Sequence, residues 1–247
     1  MSGIENILSH YTAIGLSDLG NASLMDRTET KFWFNRALLE EILFQLVSVY
    51  SVIEIEKKRQ HHYQSEYFDT EDKMFYMDHH NGRKNRYKIR TRYYTDSQLG
   101  FFELKHKNNK GRTQKSRIQY PYAYGPLTHT ALNFVDKKQI NSGGLRPVLR
   151  IEYDRFTLVN AQRTERVTID SNICFINGDI KTSIDKLVIA EVKQPEKGKS
   201  QFIDVMKNKG IREGSLSKYC MGMALTEQGL KQNNFREKLR TLKKICY

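Results

Sequence analysis

The chain has 247 residues, of which 41 are Lys or Arg and 28 are Asp or Glu, so its formal net charge is +13. This charge predicts an acidic partner such as nucleic acid, an anionic membrane surface or a polyphosphate-like substrate. Hydrophobic residues make up 38% of the chain, which is enough for a packed core, but no apolar run approaches the roughly 18 residues of a transmembrane helix. The N-terminal segment lacks the features of a secretory signal and the three cysteines are widely spaced, so a cytoplasmic protein without disulfides or a structural zinc site is expected.

The first part of the chain predicts an arm, a strand and a helix. Residues 1–24 are typical of an N-terminal arm or short helix, and residues 26–34 alternate as a first strand. Residues 36–50 have apolar side chains at helical spacing, which predicts an amphipathic helix capped by Asn35. Residues 62–69 alternate as the next strand.

The middle and end of the chain predict mostly strands. Asn81-Gly82, within 78–85, is typical of a hairpin turn. The pairs His61-His62 and His79-His80 lack metal-site spacing, and we expect surface histidines. No change in composition marks a boundary, which favours a single domain over 1–247. The remaining predictions are strands over 86–94, 100–107 and 113–120, a helix near 128–140, strands over 147–158 and 164–170, a polar turn region over 172–184, a strand over 186–193, a helix over 200–209 and a basic C-terminal helix over 228–247.

Cations alternate along the predicted strand over 86–94. Successive side chains of a β-strand point to opposite faces, so Lys88, Arg90 and Arg92 are expected to share one face, which Arg86 extends. The intervening residues are aromatic, aliphatic or Thr and favour packing against a core. Because like charges in a row repel each other, we expect an anion opposite the cationic face.

Other predicted strands repeat this period-two charge pattern, with mostly cations and a few carboxylates. A solvated outer face explains the pattern on any single strand. Its recurrence favours a sheet that closes so that the charged faces converge on one lumen, which suits a phosphate chain with a divalent metal. The repeated positions are Arg27, Glu29 and Lys31; Glu103, Lys105 and Lys107; Lys115 and Arg117; Arg166 and Asp170; and Glu191 and Lys193.

The ordered set of these motifs resembles the VTC domain, the polyphosphate polymerase domain of the vacuolar transporter chaperone family, in its stand-alone bacterial form. The resemblance extends from about residue 26 to residue 225. It is carried by Arg27-x-Glu29-x-Lys31, Tyr67-Phe68-Asp69-Thr70, Arg86-x-Lys88-x-Arg90-x-Arg92, Glu103-x-Lys105, Lys115-x-Arg117, Tyr153-x-Arg155, Arg166 four residues before Asp170, Glu191-x-Lys193 and Ser217-Lys218-Tyr219.

The resemblance implies an α+β fold, a closed antiparallel β-barrel known as the triphosphate tunnel, with helices packed outside. It implies ATP and polyphosphate as partners, without a specific nucleic acid. It also implies that Glu191 binds a divalent metal, Mn²⁺ or Mg²⁺. The implied phosphate contacts are Lys31, Arg90, Arg92, Lys105, Lys115, Arg155, Arg166 and Lys218.

Side-chain chemistry assigns roles within this set. The planar guanidinium of Arg binds phosphate oxygens in two places, and Lys adds a compact charge. Glu29 and Glu103 either bind metal or pair with neighbouring cations, and Ser217 either helps a helix N-terminus to bind an anion or simply caps it. Together with the resemblance, which alone implies roles for Arg155 and Arg166, this chemistry gives the expected catalytic residues Lys31, Arg90, Arg92, Lys105, Arg155, Arg166 and Lys218. The expected substrate-binding residues are Arg27, Lys88, Lys115, Arg117, Lys193 and Ser217.

The predicted function is a metal-dependent polyphosphate polymerase that transfers the γ-phosphoryl group of ATP to a growing polyphosphate chain. Two alternatives remain open. A tunnel triphosphatase or polyphosphatase needs the same cations and metal but lets water attack. A non-catalytic polyanion-binding protein, docked to nucleic acid or a membrane by the basic helix over 228–247, needs the charge alone.

Overall fold

The computed structural model describes residues 3–23, 28–196 and 198–246. None of the helices in these ranges is long and apolar enough to span a membrane. The strands are β1 (Thr12–Ile14), β2 (Thr28–Asn35), β3 (Tyr50–Ile53), β4 (His61–Asp69), β5 (Arg86–Tyr94), β6 (Leu99–Lys107), β7 (Thr113–Gln119), β8 (Arg146–Asn160), β9 (Arg166–Asn177), β10 (Ile180–Ile184) and β11 (Leu187–Gln194). The α-helices are α1 (Gly3–Ser9), α2 (Leu39–Leu46), α3 (Met74–His80), α4 (His129–Asp136), α5 (Gln201–Asn208), α6 (Lys218–Thr226) and α7 (Arg236–Cys246).

One curved sheet contains all of these strands. Its main path runs in the order β2-β11-β9-β8-β4-β5-β6-β7, with β10 added to β9 and β3 added to β8. Every neighbouring pair on this path is antiparallel, and only the short β1–β3 pair is parallel. The predicted antiparallel sheet with accompanying helices is therefore confirmed.

The expected closed barrel is not confirmed, because the edge strands β2 and β7 form no backbone pair in the described ranges. The free edge of β2 instead pairs with another segment: Phe32 bridges to Glu213, and the Gly214 amide donates to the Lys31 carbonyl at 2.9 Å. A side-chain contact spans the gap, with Lys115 Nζ on β7 at 3.8 Å from Glu29 Oε1 on β2. The sheet thus curls into an incomplete barrel whose seam is an ion pair.

Helices cover the convex face of the sheet, as expected. On β2, Phe32 and Phe34 pack in one cluster with Ile42 of α2 and Phe202 of α5. Over β5 and β6, the outward side chains pack against α4, and Phe102 and Ala131 are both fully buried there. The aliphatic face predicted for the strand over 86–94 is also buried, since Ile89 is 0% exposed.

All helices were expected on the outer face of the sheet, but helix α6 packs on the concave inner face. Its residues Tyr219 and Met223 lie in one cluster with Leu149, Ile151 and Phe175, which point inward from β8 and β9. These apolar residues occupy one end of the inner face, while charged residues occupy the rest. Helix α6 therefore covers one end of the inner face, and the space along the charged remainder of that face is called the channel here.

A bulge in β9 separates the charged and apolar parts of the inner face. The β8–β9 register shifts between Glu152 and Asp154, and Asn172 has a left-handed φ of 52°. Asp170 and Ile173 consequently point to the same side, although strict alternation would separate them. The predicted polar turn region over 172–184 is wrong, because its polar residues mark this bulge and a hairpin turn at Gly178 (φ 55°) between β9 and β10.

Two further local predictions need correction. The expected hairpin turn over 78–85 is the end of helix α3, where Gly82 (φ 70°) provides the left-handed residue that commonly follows a helix. The helix predicted over 36–50 ends at Leu46, and Tyr50 already begins β3. Asn35 does act as a cap, but of the 3-10 turn Arg36–Leu38 that precedes α2: its Oδ1 accepts a hydrogen bond from the Ala37 amide at 2.8 Å.

The histidine prediction is largely wrong. His80 is 2% exposed and stacks beside Tyr76 within the fold. Burial, together with the nearby Lys88 and Arg86, lowers the pKa of His79 to about 2. The His61 side chain is 12% exposed and only His62, at 40%, matches the expectation. Their surroundings, rather than their own polarity, decide where these histidines lie.

The seat of α6 predicts a stability change for Gly222→Ala. A Cβ at Gly222 would lie 2.6 Å from Leu149 Cδ2 and Phe175 Cδ1, which is overpacking that lowers the free energy of unfolding by about 1–3 kcal/mol despite the better helix propensity of Ala. Urea denaturation measures the change. Gly144→Ala is the control, because nothing lies within 4 Å of its Cβ position; equal stabilities of the two variants would contradict this placement of α6.

Candidate active site

The inner face of the sheet carries the charge rows predicted from the sequence. Strand register places Lys88 opposite Lys105, Arg90 opposite Glu103, and Glu103 opposite Arg117. On the other half of the sheet, Lys31 lies opposite Glu191 and Lys193 opposite Arg166. Arg27 lies outside the described residues. The described strand residues on this face include Glu29, Lys31, Lys88, Arg90, Arg92, Glu103, Lys105, Lys115, Arg117, Arg155, Arg166, Glu191 and Lys193.

Side chains from the two ends of the strand order face each other across the channel. Burial lowers the pKa of Lys105 on β6, and its ammonium also interacts electrostatically with Glu29 and Lys31 on β2. Lys115 on β7 reaches Glu29 directly. The alternating rows of the two halves therefore face one shared space, as the charge pattern predicts, although the sheet around it is not closed.

Glu103 anchors the first group of cations. Its Oε2 accepts from Arg90 Nε at 2.7 Å and lies 4.0 Å from Arg92 Nε. Arg90 Nη1 also donates to the Tyr67 hydroxyl at 2.9 Å. Burial alone would raise the pKa of Glu103, but Arg90 and Arg92 outweigh burial and lower it to about 2. This carboxylate holds the Arg90 guanidinium by hydrogen bonds and attracts that of Arg92 at longer range.

Asp170 anchors the second group and ties α6 to the sheet. Arg155 donates to both carboxylate oxygens of Asp170, at 2.5 and 2.7 Å. The Lys218 ammonium, at the first position of α6, pairs with the same carboxylate. Burial opposes the charge of Asp170, yet the two cations lower its pKa to about 2. From the sequence, Asp170 is only a motif position, with no role of its own expected.

Glu191 and Glu29 form the third group around Lys31. Lys31 Nζ lies 2.8 Å from Glu191 Oε2 and 3.3 Å from Glu29 Oε2, and Lys193 Nζ lies 2.6 Å from Glu191 Oε1. Burial works against ionised Glu191, but Lys193 and Lys31 hold its pKa well below the usual range. Burial lowers the pKa of Lys193 to about 8, and repulsion from Arg155 and Arg166 acts in the same direction. Attraction to Glu191 opposes both effects but does not cancel them.

Lys88 connects the channel to the start of α6. Its Nζ donates to Ser217 Oγ at 3.0 Å, and Ser217 Oγ also accepts from the Cys220 amide as the N-cap. The capping alternative for Ser217 is therefore observed. Burial lowers the pKa of Lys88 to about 8, and the nearby Lys105 and Arg90 act in the same direction. A half-buried ammonium whose hydrogen-bond partner is a neutral hydroxyl favours an anion beside it.

Aromatic rings, for which the sequence pattern predicts no role in the site, complete its wall. Arg92 and Arg155 lie over the Tyr63 ring at 5.8 and 5.2 Å from its centroid. Tyr153 stacks on Tyr63 and has Lys218 Nζ 4.5 Å from its centroid. Tyr63 and Tyr67 are four residues apart on β4, so the period-two rule places them on the same face of the strand.

The arrangement can bind an extended polyanion and resist its own repulsion. Cations outnumber the carboxylates on the inner face, and each carboxylate contacts at least one cation. Among the described residues no group of three or more His, Cys, Asp or Glu side chains could hold a metal by itself. A dication here would need ligands from a bound phosphate chain as well.

A curved antiparallel sheet with a cation-lined inner face is the architecture of the triphosphate-tunnel class. The chain belongs to the VTC domain family, whose model matches residues 26–227. No functionally curated protein is detectably similar to it in sequence.

Two solved structures share the fold at low identity. A candidate adenylate cyclase from Bacillus halodurans is 14% identical with a TM-score of 0.50, and the match covers 78% of this chain and 94% of that protein. HpAC1 from Hippeastrum, a candidate adenylyl cyclase with a dominant triphosphatase activity, is 15% identical with a TM-score of 0.54, over 83% and 99% of the two chains. At these identities the likeness shows the fold alone.

The lowered pKa of Lys88 predicts pH-dependent anion binding. A polyanion favours the charged ammonium, so tripolyphosphate affinity should fall as the pH rises through about 8, where Lys88 of the free protein loses its proton. The release of one proton can weaken binding by at most about tenfold per pH unit. Lys88→Arg keeps the charge at high pH and should remove this contribution, so its affinity should fall less steeply than that of the wild type in calorimetric titrations from pH 7 to 9.5. The control is Lys207→Arg, whose side chain is 70% exposed. Superimposable pH profiles for the wild type and Lys88→Arg would contradict the assignment.

Proposed function

We propose that the protein is a polyphosphate polymerase that transfers the γ-phosphoryl group of ATP to the end of a polyphosphate chain held in the channel. The observation that carries the proposal is the convergence of guanidinium and ammonium groups from both halves of the sheet on one shared space. Family membership supports the same substrate class. Catalysis then rests on Lys31, Arg90, Arg92, Lys105, Arg155, Arg166 and Lys218, and Lys88, Lys115, Arg117, Lys193 and Ser217 hold the rest of the chain.

Phosphoryl transfer depends on positioning and on charge neutralisation rather than on covalent help from the protein. Arg90 and Arg155 are already held by Glu103 and Asp170, so little reorganisation accompanies substrate binding. In that position they neutralise charge that develops on the equatorial and leaving oxygens. Lys218 adds a compact charge from the start of α6.

The inner-face carboxylates favour phosphate over water as the nucleophile. Glu103 and Asp170 have pKa values near 2, and neighbouring cations also lower the pKa values of Glu191 and Glu29 although burial opposes this. Such groups accept a proton poorly at neutral pH. The terminal oxygen of a polyphosphate chain is already ionised and needs no base, whereas attacking water would.

Glu191 and Glu29 are suited to a divalent metal that arrives with the substrate. Both contact Lys31 Nζ, so their oxygens converge on one point, and Mg²⁺ or Mn²⁺ commonly uses one or two carboxylates together with phosphate oxygens. When bound, the ion supplies further charge neutralisation at the phosphates. Glu103 is held by Arg90 and Arg92, which supports the pairing role for it.

A tunnel triphosphatase is the second candidate. The observation that favours it is the fold shared with HpAC1, for which a dominant triphosphatase activity is stated. The two candidates use the same cations and differ in the nucleophile. Product analysis therefore separates them.

Incubation with ATP and Mn²⁺, followed by separation of long polyphosphate from orthophosphate, tests the proposal. We expect long chains and ADP. Orthophosphate as the sole phosphate product would replace the polymerase with the hydrolase. Absence of turnover together with tight polyphosphate binding would leave a non-catalytic polyanion-binding protein.

In the same assay, Arg90→Ala or Arg92→Ala should lower turnover by roughly 100- to 1000-fold, because each removes a charge fixed at the reacting phosphate. The melting transition should stay cooperative, since Glu103 keeps one of its two arginines in either variant. Arg240→Ala on the exposed side of α7 is the control. Wild-type rates in both tunnel variants would remove these arginines from the site.

A further inference from the structure

Four aromatic rings form a continuous row across the inner face at one end of the channel. They come from adjacent strands: Tyr153 from β8, Tyr63 from β4, Tyr94 from β5 and Phe101 from β6. Tyr153 and Tyr63 stack with centroids 5.3 Å apart, Tyr63 and Tyr94 meet edge to face at 4.9 Å, and Tyr94 and Phe101 at 6.0 Å. The row ends at Phe101.

At one end of this row Lys218 of α6 lies 4.5 Å from the Tyr153 ring, while Tyr94 lies at the end of β5 farther from the start of α6. Tyr94 is the last residue of β5, next to the β5–β6 turn, whereas Lys88, near the other end of β5, contacts the start of α6. Arg92 and Arg90 point the same way two and four residues before Tyr94, which is about 7 and 13 Å at the usual rise of a strand. A ligand that enters by the β5–β6 turn passes the rings before it meets these arginines.

Tyr94 and Phe101 are the two rings of the row that a ligand can reach. Tyr153 is 2% exposed, and the Tyr63 ring is covered by the guanidinium groups of Arg92 and Arg155. Tyr94 and Phe101 are half-buried. Arg117 lies over the Phe101 ring at 4.5 Å, but it is exposed and not held by a buried carboxylate as Arg155 is, so a flat ligand can displace it from this ring face.

A bare phosphate chain gains nothing from these rings, because the face of an aromatic ring carries negative charge density. A nucleobase, in contrast, stacks on an aromatic face whatever its identity. We infer that Tyr94 and Phe101 form a nucleobase subsite for the donor nucleoside triphosphate, an inference that rests on the proposed function. The triphosphate then extends inward past Arg92, and its terminal phosphate lies near Arg90.

This subsite gives the reaction a direction. The donor occupies the side of the β5–β6 turn, and the growing chain approaches the γ-phosphorus from the side of α6, in line with the leaving oxygen. The chain's terminal oxygen forms the new P–O bond while the bond between the γ-phosphorus and the β–γ bridging oxygen breaks. The nucleoside diphosphate leaves with that oxygen and its electron pair by the side at which the donor entered.

Calorimetric titration of ATP and tripolyphosphate into Phe101→Leu and Tyr94→Leu tests the subsite. Leu keeps apolar bulk but removes the stacking face, so the Kd for ATP should rise about 5- to 100-fold in each variant. The Kd for tripolyphosphate, which has no base, should change less than twofold. Tyr122→Leu, at a 55% exposed aromatic residue outside the channel, should change neither Kd.

The outcomes distinguish failure of the nucleobase subsite from failure of the proposed function. Unchanged ATP affinity in both variants would overturn the nucleobase subsite, and an equal loss for ATP and tripolyphosphate would overturn it too, because the rings would then act through the phosphate site or the fold. Wild-type protein that fails to bind tripolyphosphate would overturn the proposed function, and this subsite with it.

Discussion

Repulsion among buried cations is the constraint on which the rest of the structure depends. The curved sheet brings lysine and arginine side chains from both halves of the strand order into one space. Glu103, Asp170, Glu191 and Glu29 each pair with cations of that space. The carboxylates hold the cations at fixed positions but do not neutralise all of them. The remaining positive charge attracts a polyanion to this face.

The same balance of charge determines where the helices can lie. Helix α6 packs on the concave face because its apolar residues match the inward Leu149 and Phe175, while its first residue, Lys218, reaches Asp170. The Tyr219 hydroxyl, next in sequence, hydrogen-bonds to buried Asp69, whose carboxylate also accepts from the Phe75 and Tyr76 amides at 2.8 and 2.9 Å. One helix is thereby fixed both to the core and to the charged site, so packing and binding geometry depend on each other.

Much of the charged face could be predicted from the sequence because period two is a local property of a strand. Lys88, Arg90 and Arg92 needed no tertiary information to be placed on one side. Asp170 escaped notice as an anchor because its role arises from contacts with Arg155 and Lys218, 15 and 48 positions away in the chain. The bulge at Asn172 was also missed, since a polar residue in a strand resembles a turn until its neighbours on β8 are known.

The expected barrel closure is not confirmed, for a related reason. The strand pattern favours a sheet that curls, but the last step depends on which segment takes the free edge of β2. The segment around Glu213 and Gly214 occupies that edge. Its sequence has no strand-like pattern that would predict this pairing. The aromatic row is comparable, because Tyr94 and Phe101 are ordinary strand residues until register places them beside Tyr63.

A crystal structure of the protein with tripolyphosphate tests the central claim most directly. The account predicts a phosphate chain along the inner face, with oxygens in contact with Arg90, Arg92, Arg155 and Lys218. Phosphate bound instead to the exposed basic side chains of α7, with an inner face that holds none, would contradict it.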